Sequence, residues 1–392
     1  MAKLVRFPIT NKDTGNNFTL KLAVGSAAVP IDVILDTGSS MLTVNGELYD
    51  PGADSAATTT RLLQTAQFSS GTLMAAVART PVGLLADDAA TTIAVPNANL
   101  AVVYDIPPNL FGDADGIFGL AYRGLNKSFQ MPANTWDARY KVGQLGLGQP
   151  APDLDPYVTQ VVAAGLAVDT FAFAVRRSVA SEAADHAAAD VLNTGVFVLG
   201  GGAECTDLYT GPFTSVAVVH TDYYNTNLIA VQVGDRTVNV AAAPAGGVAA
   251  SNSVVDSGNS SLMLDPDLYR RVIGLFNAIN PIFGAALVSN GSYDQTALSL
   301  ASWPMLGFVL QGVGGARVTV TVAPEDYWQF DSAGPGRATT GLTGGSPHPG
   351  QSILGLPLFT GHYVVFDRTA AGGLGAINFA ARREGNSSAP IA

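Results

Sequence analysis

Two segments of the sequence repeat one pattern about 220 residues apart, and this repeat limits the possible folds more than any other feature. Val33–Ser40 reads VILDTGSS, and Val254–Ser261 reads VVDSGNSS. Each is an apolar run that ends in Asp-Thr/Ser-Gly, and each is followed downstream by an apolar-apolar-Gly triplet, at Ile117–Gly119 and at Ile353–Gly355. Because repeated sequence units form repeated structural units, the pattern predicts two similar lobes. Each lobe would contribute one aspartate to a shared cleft.

Most of the remaining sequence predicts β-strands. Short runs that alternate or are rich in β-branched residues recur along the chain, and 43 glycines and 22 prolines among 392 residues supply turns between them. Helix signals occur at Asp155–Ala164 and Asp265–Phe276, where a capping Asp precedes Pro and then apolar residues at helical spacing. Longer loops are predicted at Gly124–Pro152, Ser178–Gly195 and Asp331–Gly350. We therefore expect a mostly-β protein with a few short helices.

The repeat also suggests how the chain divides. We place the N-terminal lobe at 1–200, with the first aspartate and the flap, and the C-terminal lobe at 201–380, with the second aspartate. Residues 381–392 are polar and are expected to form a flexible tail.

The charge and the cysteine count argue against several classes of function. With 20 Lys and Arg against 31 Asp and Glu, the net charge is −11, so we expect no nucleic-acid binding. No apolar stretch reaches the length of about 18 residues that a membrane span needs, so none is predicted. Cys205 is the only cysteine, which excludes an internal disulfide and a Cys-based metal site, and the four histidines lack the spacing of metal ligands. We expect no metal and no other cofactor.

The two aspartates, Asp36 and Asp256, stand where paired carboxylates can perform acid–base chemistry. An Asp at the end of a buried strand is costly to desolvate, and it needs the hydrogen-bond donors that a glycine turn and nearby hydroxyls supply. Two carboxylates face to face share one proton, so that one acts as a base and the other as an acid. Such a pair can activate water for amide hydrolysis without a metal. The residues expected to support the pair are Thr37, Gly38, Ser39, Ser257, Gly258 and Asn259.

The supporting residues have separate expected roles. The hydroxyls of Thr37 and Ser257 are placed to link the two turns across the boundary between the lobes. Ser39 and Asn259, three residues after each aspartate, are placed to donate to the outer carboxylate oxygens. Asp-Thr-Gly alone is also an ordinary turn, which we expect at Asp13–Gly15, after a polar stretch. The two paired aspartates differ from that turn because both follow apolar strands and both have the downstream triplet.

Together these motifs resemble the pepsin-like aspartic endopeptidases of eukaryotes, of the fungal type. The resemblance runs over about residues 18–379 and includes Ala114–Tyr122, Phe197–Val219 and Ser352–Ala380. It implies a bilobal β fold with a long cleft, the two aspartates as the catalytic pair, and a lytic water between them. It also implies a peptide or protein substrate, cut between apolar residues, and inhibition by a pepstatin-like compound.

The resemblance further implies a hairpin flap over the cleft and a substrate pocket. We place the flap at Gln67–Ala78, with Gly71 at its tip. The residues expected at the end of the flap are Phe68, Ser69, Ser70 and Gly71. The residues expected in the substrate pocket are Leu110, Phe111, Ile117, Tyr223 and Leu356.

Four positions depart from the pattern of this family. Phe68 replaces the usual flap tyrosine and Thr43 replaces its tryptophan partner, which should loosen the flap and slow cleavage of peptides. Leu356 follows the second triplet where the family commonly has Asp. The loss of that carboxylate is expected to ease ionisation of Asp256 and to give a pH optimum less acid than that of pepsin. Asn259 replaces Thr or Ser and is expected to be tolerated.

Alternatives remain open at this point. The same fold and acid pair could act on a small molecule or an ester, or the chain could be a binding pseudo-peptidase. The start of the sequence, MAKLVRFPIT, lacks the apolar core of a signal peptide. We expect either the mature form of a secreted or vacuolar/lysosomal enzyme or an intracellular protein, and a monomer.

Overall fold

The computed structural model describes residues 3–12, 17–68, 71–86, 91–131, 148–180, 190–243, 250–288 and 292–383. Within them the strands are β1 (Val5–Asn11), β2 (Phe18–Val24), β3 (Val29–Asp36), β4 (Leu42–Asn45), β5 (Thr58–Phe68), β6 (Gly71–Leu85), β7 (Thr91–Val103), β8 (Gly116–Gly119), β9 (Ser128–Gln130), β10 (Pro150–Ala151), β11 (Thr170–Ala174), β12 (Thr194–Leu199), β13 (Tyr209–Ala217), β14 (Asn225–Thr226), β15 (Leu228–Val233), β16 (Arg236–Asn239), β17 (Ser253–Val255), β18 (Leu262–Leu264), β19 (Tyr293–Asp294), β20 (Leu306–Gln311), β21 (Arg317–Val322), β22 (Trp328–Gln329), β23 (Arg337–Thr340), β24 (Leu342–Gly344), β25 (Ser352–Leu354), β26 (His362–Asp367) and β27 (Ala376–Arg382). The α-helices are α1 (Tyr157–Ala163), α2 (Pro266–Ile279), α3 (Pro281–Val288), α4 (Pro324–Tyr327) and α5 (Pro357–Thr360). The mostly-β composition with a few short helices agrees with the prediction.

A sheet of fifteen strands runs through both halves of the chain, in the order β10-β9-β5-β6-β7-β4-β8-β3-β2-β1-β12-β11-β26-β27-β13. Its last six strands bring the beginning, the middle and the end of the sequence together, and β11 pairs with β26 from Thr170 opposite Asp367 onward. Aromatic packing supports this pairing, since Phe171 stacks on Phe366 with ring centroids 5.0 Å apart. The sheet therefore crosses the expected lobe boundary after residue 200, and that boundary stays a prediction.

The repeated sequence pattern forms a repeated strand arrangement. In the first half, β3 pairs in parallel with β8, and β8 pairs antiparallel with β4. In the second half, β17 pairs in parallel with β25, and β25 pairs antiparallel with β18. The strand of the apolar-apolar-Gly triplet thus lies in the middle of each set, next to the strand that leads to the aspartate. The predicted repeat is confirmed.

Alternation along β3 explains why the strand before the first aspartate is apolar throughout. Val33 and Leu35 point into the main core, whereas Ile34 points to the other face of the sheet. There it joins a second apolar cluster that includes Leu73 of β6 and Ile117 of β8. Both faces of β3 are covered, so its end is held firmly in place.

The hairpin of β5 and β6 corresponds to the expected flap. Phe68 pairs with Gly71 at its end, and the connecting residues 69–70 lie outside the described residues. The expected range Gln67–Ala78 covers this end, but the two strands extend further, over 58–85. The flap is therefore the tip of a long hairpin.

One of the two predicted helix starts is confirmed and the other is wrong. The Asp265 side chain accepts hydrogen bonds from the N–H groups at the start of α2, with Pro266 at its first position. In α1, Pro156 takes the N-cap position and no side chain caps the helix. Asp155 lies one residue too early, and its carbonyl accepts a hydrogen bond from Gln160 instead.

The predicted loops are partly structured. The stretch Asp331–Gly350, expected to be a loop, contains β23 and β24, whose threonines suit a strand. The ends of the expected loop Gly124–Pro152 form β9 and β10, while 132–147, 181–189 and the turn expected at 13–15 lie outside the described residues. The flexible tail expected at 381–392 is wrong at its start, because Ala381 and Arg382 belong to β27 and pair with β13. Residues from 384 onward lie outside the described residues. Among the helices of the described residues, none is long and apolar enough to cross a membrane.

Candidate active site

The two aspartates stand at equivalent places at the ends of equivalent strands. Asp36 is the last residue of β3, and Asp256 directly follows β17. Each carboxylate accepts a hydrogen bond from the N–H group two residues later, Gly38 at 2.7 Å and Gly258 at 2.8 Å. Asp36 is buried and Asp256 is partly exposed.

Four hydrogen bonds join the two aspartate turns across the halves of the chain. The Thr37 hydroxyl donates to the Val255 carbonyl at 3.0 Å and accepts from the Ser257 N–H at 2.8 Å. The Ser257 hydroxyl donates to the Leu35 carbonyl at 2.8 Å and accepts from the Thr37 N–H at 3.0 Å. A hydroxyl can donate and accept at once, which is why Thr and Ser serve here. The predicted link between the turns is confirmed, and it fixes the carboxylates relative to each other.

Each glycine of the motif lies against the carboxylate of the opposite half. A Cβ atom at Gly38 would lie 2.6 Å from Asp256 Oδ2, and one at Gly258 would collide with Asp36 Oδ1. Any larger residue would therefore displace the partner carboxylate. The glycines are needed for this close approach as well as for the turn.

Ser39 and Asn259 occupy equivalent positions in the repeat and were expected to donate to their aspartates in the same way, but their side chains differ in what they contact. The Ser39 hydroxyl contributes to lowering the pKa of Asp36, although it makes no hydrogen bond of regular geometry within the described part of the chain. The Asn259 amide oxygen accepts from the N–H and the hydroxyl of Ser261 at 3.0 and 3.1 Å. The hydrogen bonds of the Asn259 side chain among the described residues go to Ser261, so the expected donation to Asp256 is wrong.

Burial and mutual repulsion make the two carboxyl groups retain a proton. Burial raises the pKa of Asp36, although the Ser39 hydroxyl and the Gly38 N–H act in the opposite direction. Burial also raises the pKa of Asp256 well above its usual range, and the negative charge of Asp36 raises it further. Since two adjacent carboxylates cannot both ionise easily, the pair holds one proton in common over a range of pH.

The glycine that ends each apolar-apolar-Gly triplet lies against the backbone of the neighbouring aspartate turn. Gly119 pairs with Asp36 in the parallel register of β3 and β8, and the Leu120 N–H donates to the Asp36 carbonyl at 2.8 Å. On the other side, a Cβ atom at Gly355 would collide with the Asn259 carbonyl, and the next N–H group donates to that same carbonyl at 2.7 Å. Only glycine lets these strands approach so closely.

The sequence was compared with models of known protein families. The family model described as eukaryotic aspartyl protease matches residues 17–377, which is most of the chain. The chain belongs to this family. The match confirms the expected pepsin-like aspartic endopeptidase family and the bilobal fold, and it supports aspartic-type hydrolase activity on peptides in general.

Two cavities of this aspartyl protease meet beneath the end of the hairpin. The first, about 260 Å³, is lined by the carboxyl groups of Asp36 and Asp256 together with, among others, Val254, Met263, His348 and Ile353. The second, about 170 Å³, is lined by residues of β5 and of the segment 125–127. Gly38, Gln67, Phe68 and Tyr223 line both cavities, so Tyr223 and Phe68 lie where they were expected.

A larger cavity, about 870 Å³, lies away from the aspartates. It is lined by residues of α2, α3 and β24, such as Tyr269, Leu287 and Leu342, and it contains neither carboxylate. Chemistry therefore identifies the site better than size does.

Three residues expected in the substrate pocket lie underneath it instead. Leu110, Phe111 and Ile117 line neither cavity; they pack with Phe68 in the second apolar cluster, and Phe111 and Ile117 are buried. Thr43, on the neighbouring strand β4, is buried as well. The end of the hairpin is thus supported by apolar packing where the family usually has a hydrogen bond.

Leu356 also lies outside the substrate pocket. It is fully buried in the main core and lines neither cavity, so its expected position is wrong. The absence of a carboxylate there removes a negative charge, which by itself favours ionisation of Asp256 and a more acid optimum. The argument from Leu356 therefore has the opposite sign to the less acid optimum expected from it, and burial is the effect that raises the pKa of both aspartates.

Sequence reasoning missed several residues that line the cavities. Val254 and Ile353 are the first residues of the second aspartate motif and of its triplet, on the strands β17 and β25, and could have been found from that position. His348 and Gln351 come from the end of the predicted loop, where no local pattern marks them. In the described residues, no group of three or more His, Cys, Asp or Glu side chains could hold a metal ion.

Proposed function

We propose that the protein is an aspartic endopeptidase in which Asp36 and Asp256 activate a water molecule to hydrolyse peptide bonds. The observation that carries this proposal is the pair of carboxylates, each seated against the glycine of the other half and both with a raised pKa. The four hydrogen bonds between Thr37 and Ser257 and the opposite strands preorganise the pair before substrate arrives.

The reaction needs one proton on the pair. The ionised carboxylate takes a proton from water as the water oxygen bonds to the peptide carbonyl carbon, and the protonated carboxyl gives its proton to the carbonyl oxygen. The tetrahedral diol then collapses: the C–N bond breaks, the nitrogen receives a proton from the pair, and one hydroxyl proton of the diol returns to it. The products are a carboxylic acid and an amine, and the pair ends with the single proton it began with.

The cleft suits an extended peptide that passes between the aspartates and the hairpin. Phe68 at the hairpin end lies over both cavities, and edge backbone groups near it can pair with a peptide as with an added strand. Val254, Met263 and Ile353 give the first cavity apolar walls. These walls support a preference for an apolar residue at the cut.

The test is cleavage of a denatured protein from about pH 2 to about pH 7, with and without pepstatin. The wild type should cleave and pepstatin should block it, while Asp36→Asn should be inactive. Asp32→Asn is the matched control, because Asp32 lies on the same strand but forms an ion pair with Lys12 at 3.0 Å. Equal cleavage by Asp36→Asn and wild type would overturn the proposal.

A further inference from the structure

The second cavity, which we call the side cavity, has polar walls close to the catalytic pair. Its lining includes Ser39 and Ser40 from the first aspartate turn, Gln64 from β5, and Asn126 and Lys127. Gln64 and Asn126 are almost completely buried, with exposed fractions of 3% and 4%. At about 170 Å³ the cavity has room for one substrate side chain, since a water molecule takes up about 30 Å³ in the liquid.

A chain of hydrogen bonds fixes which end of the Gln64 amide faces the cavity. The Leu154 carbonyl can only accept, so Asn126 presents its Nδ2 to it, at 3.0 Å. The Asn126 Oδ1 must then face Gln64, and it accepts from Gln64 Nε2 at 2.5 Å. Gln64 Oε1 is left as an acceptor. It has no partner among the described residues, and it is not sealed from solvent.

The hydroxyl groups of the first aspartate turn add a second polar feature. Ser40 is 4% exposed and lines the side cavity, and its hydroxyl makes no hydrogen bond within the part of the chain that the structure describes. The cavity therefore offers a fixed acceptor from Gln64 and a free hydroxyl that can donate from Ser40. Both groups are open to the cavity, so a ligand side chain that pairs with them replaces the hydrogen bonds of the water it displaces.

The rim of the side cavity carries no net charge that would select an ion. Lys127 Nζ forms an ion pair with Asp153 Oδ2 at 2.9 Å, so its positive charge is already balanced. A carboxylate would bring its lone pairs against Gln64 Oε1, and an ammonium group could donate to Gln64 Oε1 but could not accept from the Ser40 hydroxyl. An apolar side chain would cover the oxygens of Gln64 and Ser40 without pairing them.

We propose that the side cavity is a specificity subsite for an uncharged amide side chain, Gln or Asn, of the peptide substrate. The amide N–H₂ of that side chain donates to Gln64 Oε1, and its carbonyl oxygen accepts from the Ser40 hydroxyl. This inference rests on the proposed peptidase function. It names Gln64 as the residue that determines specificity at one position next to the cut.

The experiment compares kcat/KM for peptides that carry Gln, Met, Leu, Glu or Lys in turn at each position within about four residues of the cut. The pH is kept above the range where a free Glu side chain is protonated. At one position the wild type should favour Gln over the isosteric Met by about tenfold, and should favour Glu and Lys less than Gln. Gln64→Met should reduce the Gln/Met ratio to about one, and Ser40→Ala should reduce it in part.

Gln160→Met is the matched control. Unlike Gln64, Gln160 has both ends of its amide bonded, to the Asn99 N–H and to the Asp155 carbonyl, and it lines neither cavity. It should keep the Gln preference. If Gln64→Met does not fold, as thermal unfolding would show, the wild-type ratios and Ser40→Ala still decide the matter.

The possible results separate this inference from the proposed function. Cleavage with a preference for Met, Leu, Glu or Lys over Gln at every position overturns the subsite and leaves the peptidase intact. A Gln preference that persists unchanged in Gln64→Met, or in Ser40→Ala should the first variant not fold, also overturns the subsite. No cleavage of any peptide overturns the peptidase and the subsite together.

Discussion

Gly38 lies directly against the carboxyl group of Asp256: a Cβ atom at position 38 would stand 2.6 Å from Asp256 Oδ2. Gly258 and Asp36 repeat this contact in the other half. The pair of aspartates is thus built from two turns, and the glycine of each turn limits the position of the partner carboxylate. A substitution of either glycine should therefore reduce kcat/KM more than it reduces the stability of the fold.

Gly38→Ala should lower kcat/KM by about 100-fold or more, because the new methyl group pushes Asp256 out of line with the water. Gly274→Ala is the control, since Gly274 lies in α2 with nothing within 4 Å of its Cβ position. It should retain activity and gain about 0.5–1 kcal/mol in the free energy of unfolding. Peptide cleavage and thermal unfolding of both variants check this, and an active Gly38→Ala enzyme would count against the close contact.

Thr37→Val should destabilise the protein by about 1–3 kcal/mol. The substitution removes the hydroxyl that donates to the Val255 carbonyl and accepts from the Ser257 N–H. Both of these buried backbone groups then lose that hydrogen bond. Thr237→Val, at an exposed position of β16, should change stability by about 0.5 kcal/mol or less. Urea unfolding of the two variants measures the difference, and equal values would show that the link between the turns does not stabilise the fold.

Asp256→Asn should make the folded protein more stable at neutral pH. The pKa of Asp256 is raised well above its ordinary value by burial and by Asp36, so the folded state holds its proton more tightly than the unfolded state. This contribution to stability is fully present below about pH 4 and is lost as the pH rises through the folded-state pKa. The gain in Tm from the substitution should therefore appear near about pH 7 and vanish below about pH 4. A gain that is independent of pH would contradict this assignment.

Arg368→Met should destabilise the fold by about 3–5 kcal/mol. The Arg368 side chain is 6% exposed, forms an ion pair with Asp169 at 3.3 Å, and lies over the Tyr122 ring at 4.8 Å. Its loss leaves Asp169 without its cation. Adding Asp169→Asn to the same chain should recover part of the loss, and thermal unfolding of the single and double variants measures it. Neither residue lines the cavities, so kcat/KM of the folded variants should stay unchanged.

The sequence was sufficient to predict the parts of the site that depend on short motifs. The placement of Asp36 and Asp256 at equivalent strand ends, and the link made by Thr37 and Ser257, were predicted correctly. An apolar strand, a hydroxyl and a glycine turn determine this geometry over a few residues. The role of Asn259 was predicted wrongly, since its position in the repeat does not determine where its amide points. It bonds within its own turn, to Ser261.

The walls of the cleft depend on long-range packing and were harder to predict. Phe111 and Ile117 are apolar near the motif, but the hairpin covers them, and Leu356 turns into the core. No local sequence pattern marks Gln64 as a cavity residue. The orientation of its amide depends on a hydrogen bond to Asn126, which follows 62 residues later. Such residues are identified only when the chain is folded.

The central claim is that the two aspartates act as one proton-sharing pair, and its most direct test is the pH dependence of kcat/KM on one peptide. The account predicts a bell-shaped profile for the wild type, with an alkaline limb above the ordinary range of a carboxyl group. Asp36→Asn and Asp256→Asn should each reduce kcat/KM at least about 100-fold. An aspartate variant that retains wild-type kcat/KM, or a wild-type profile with a single limb, would contradict the account.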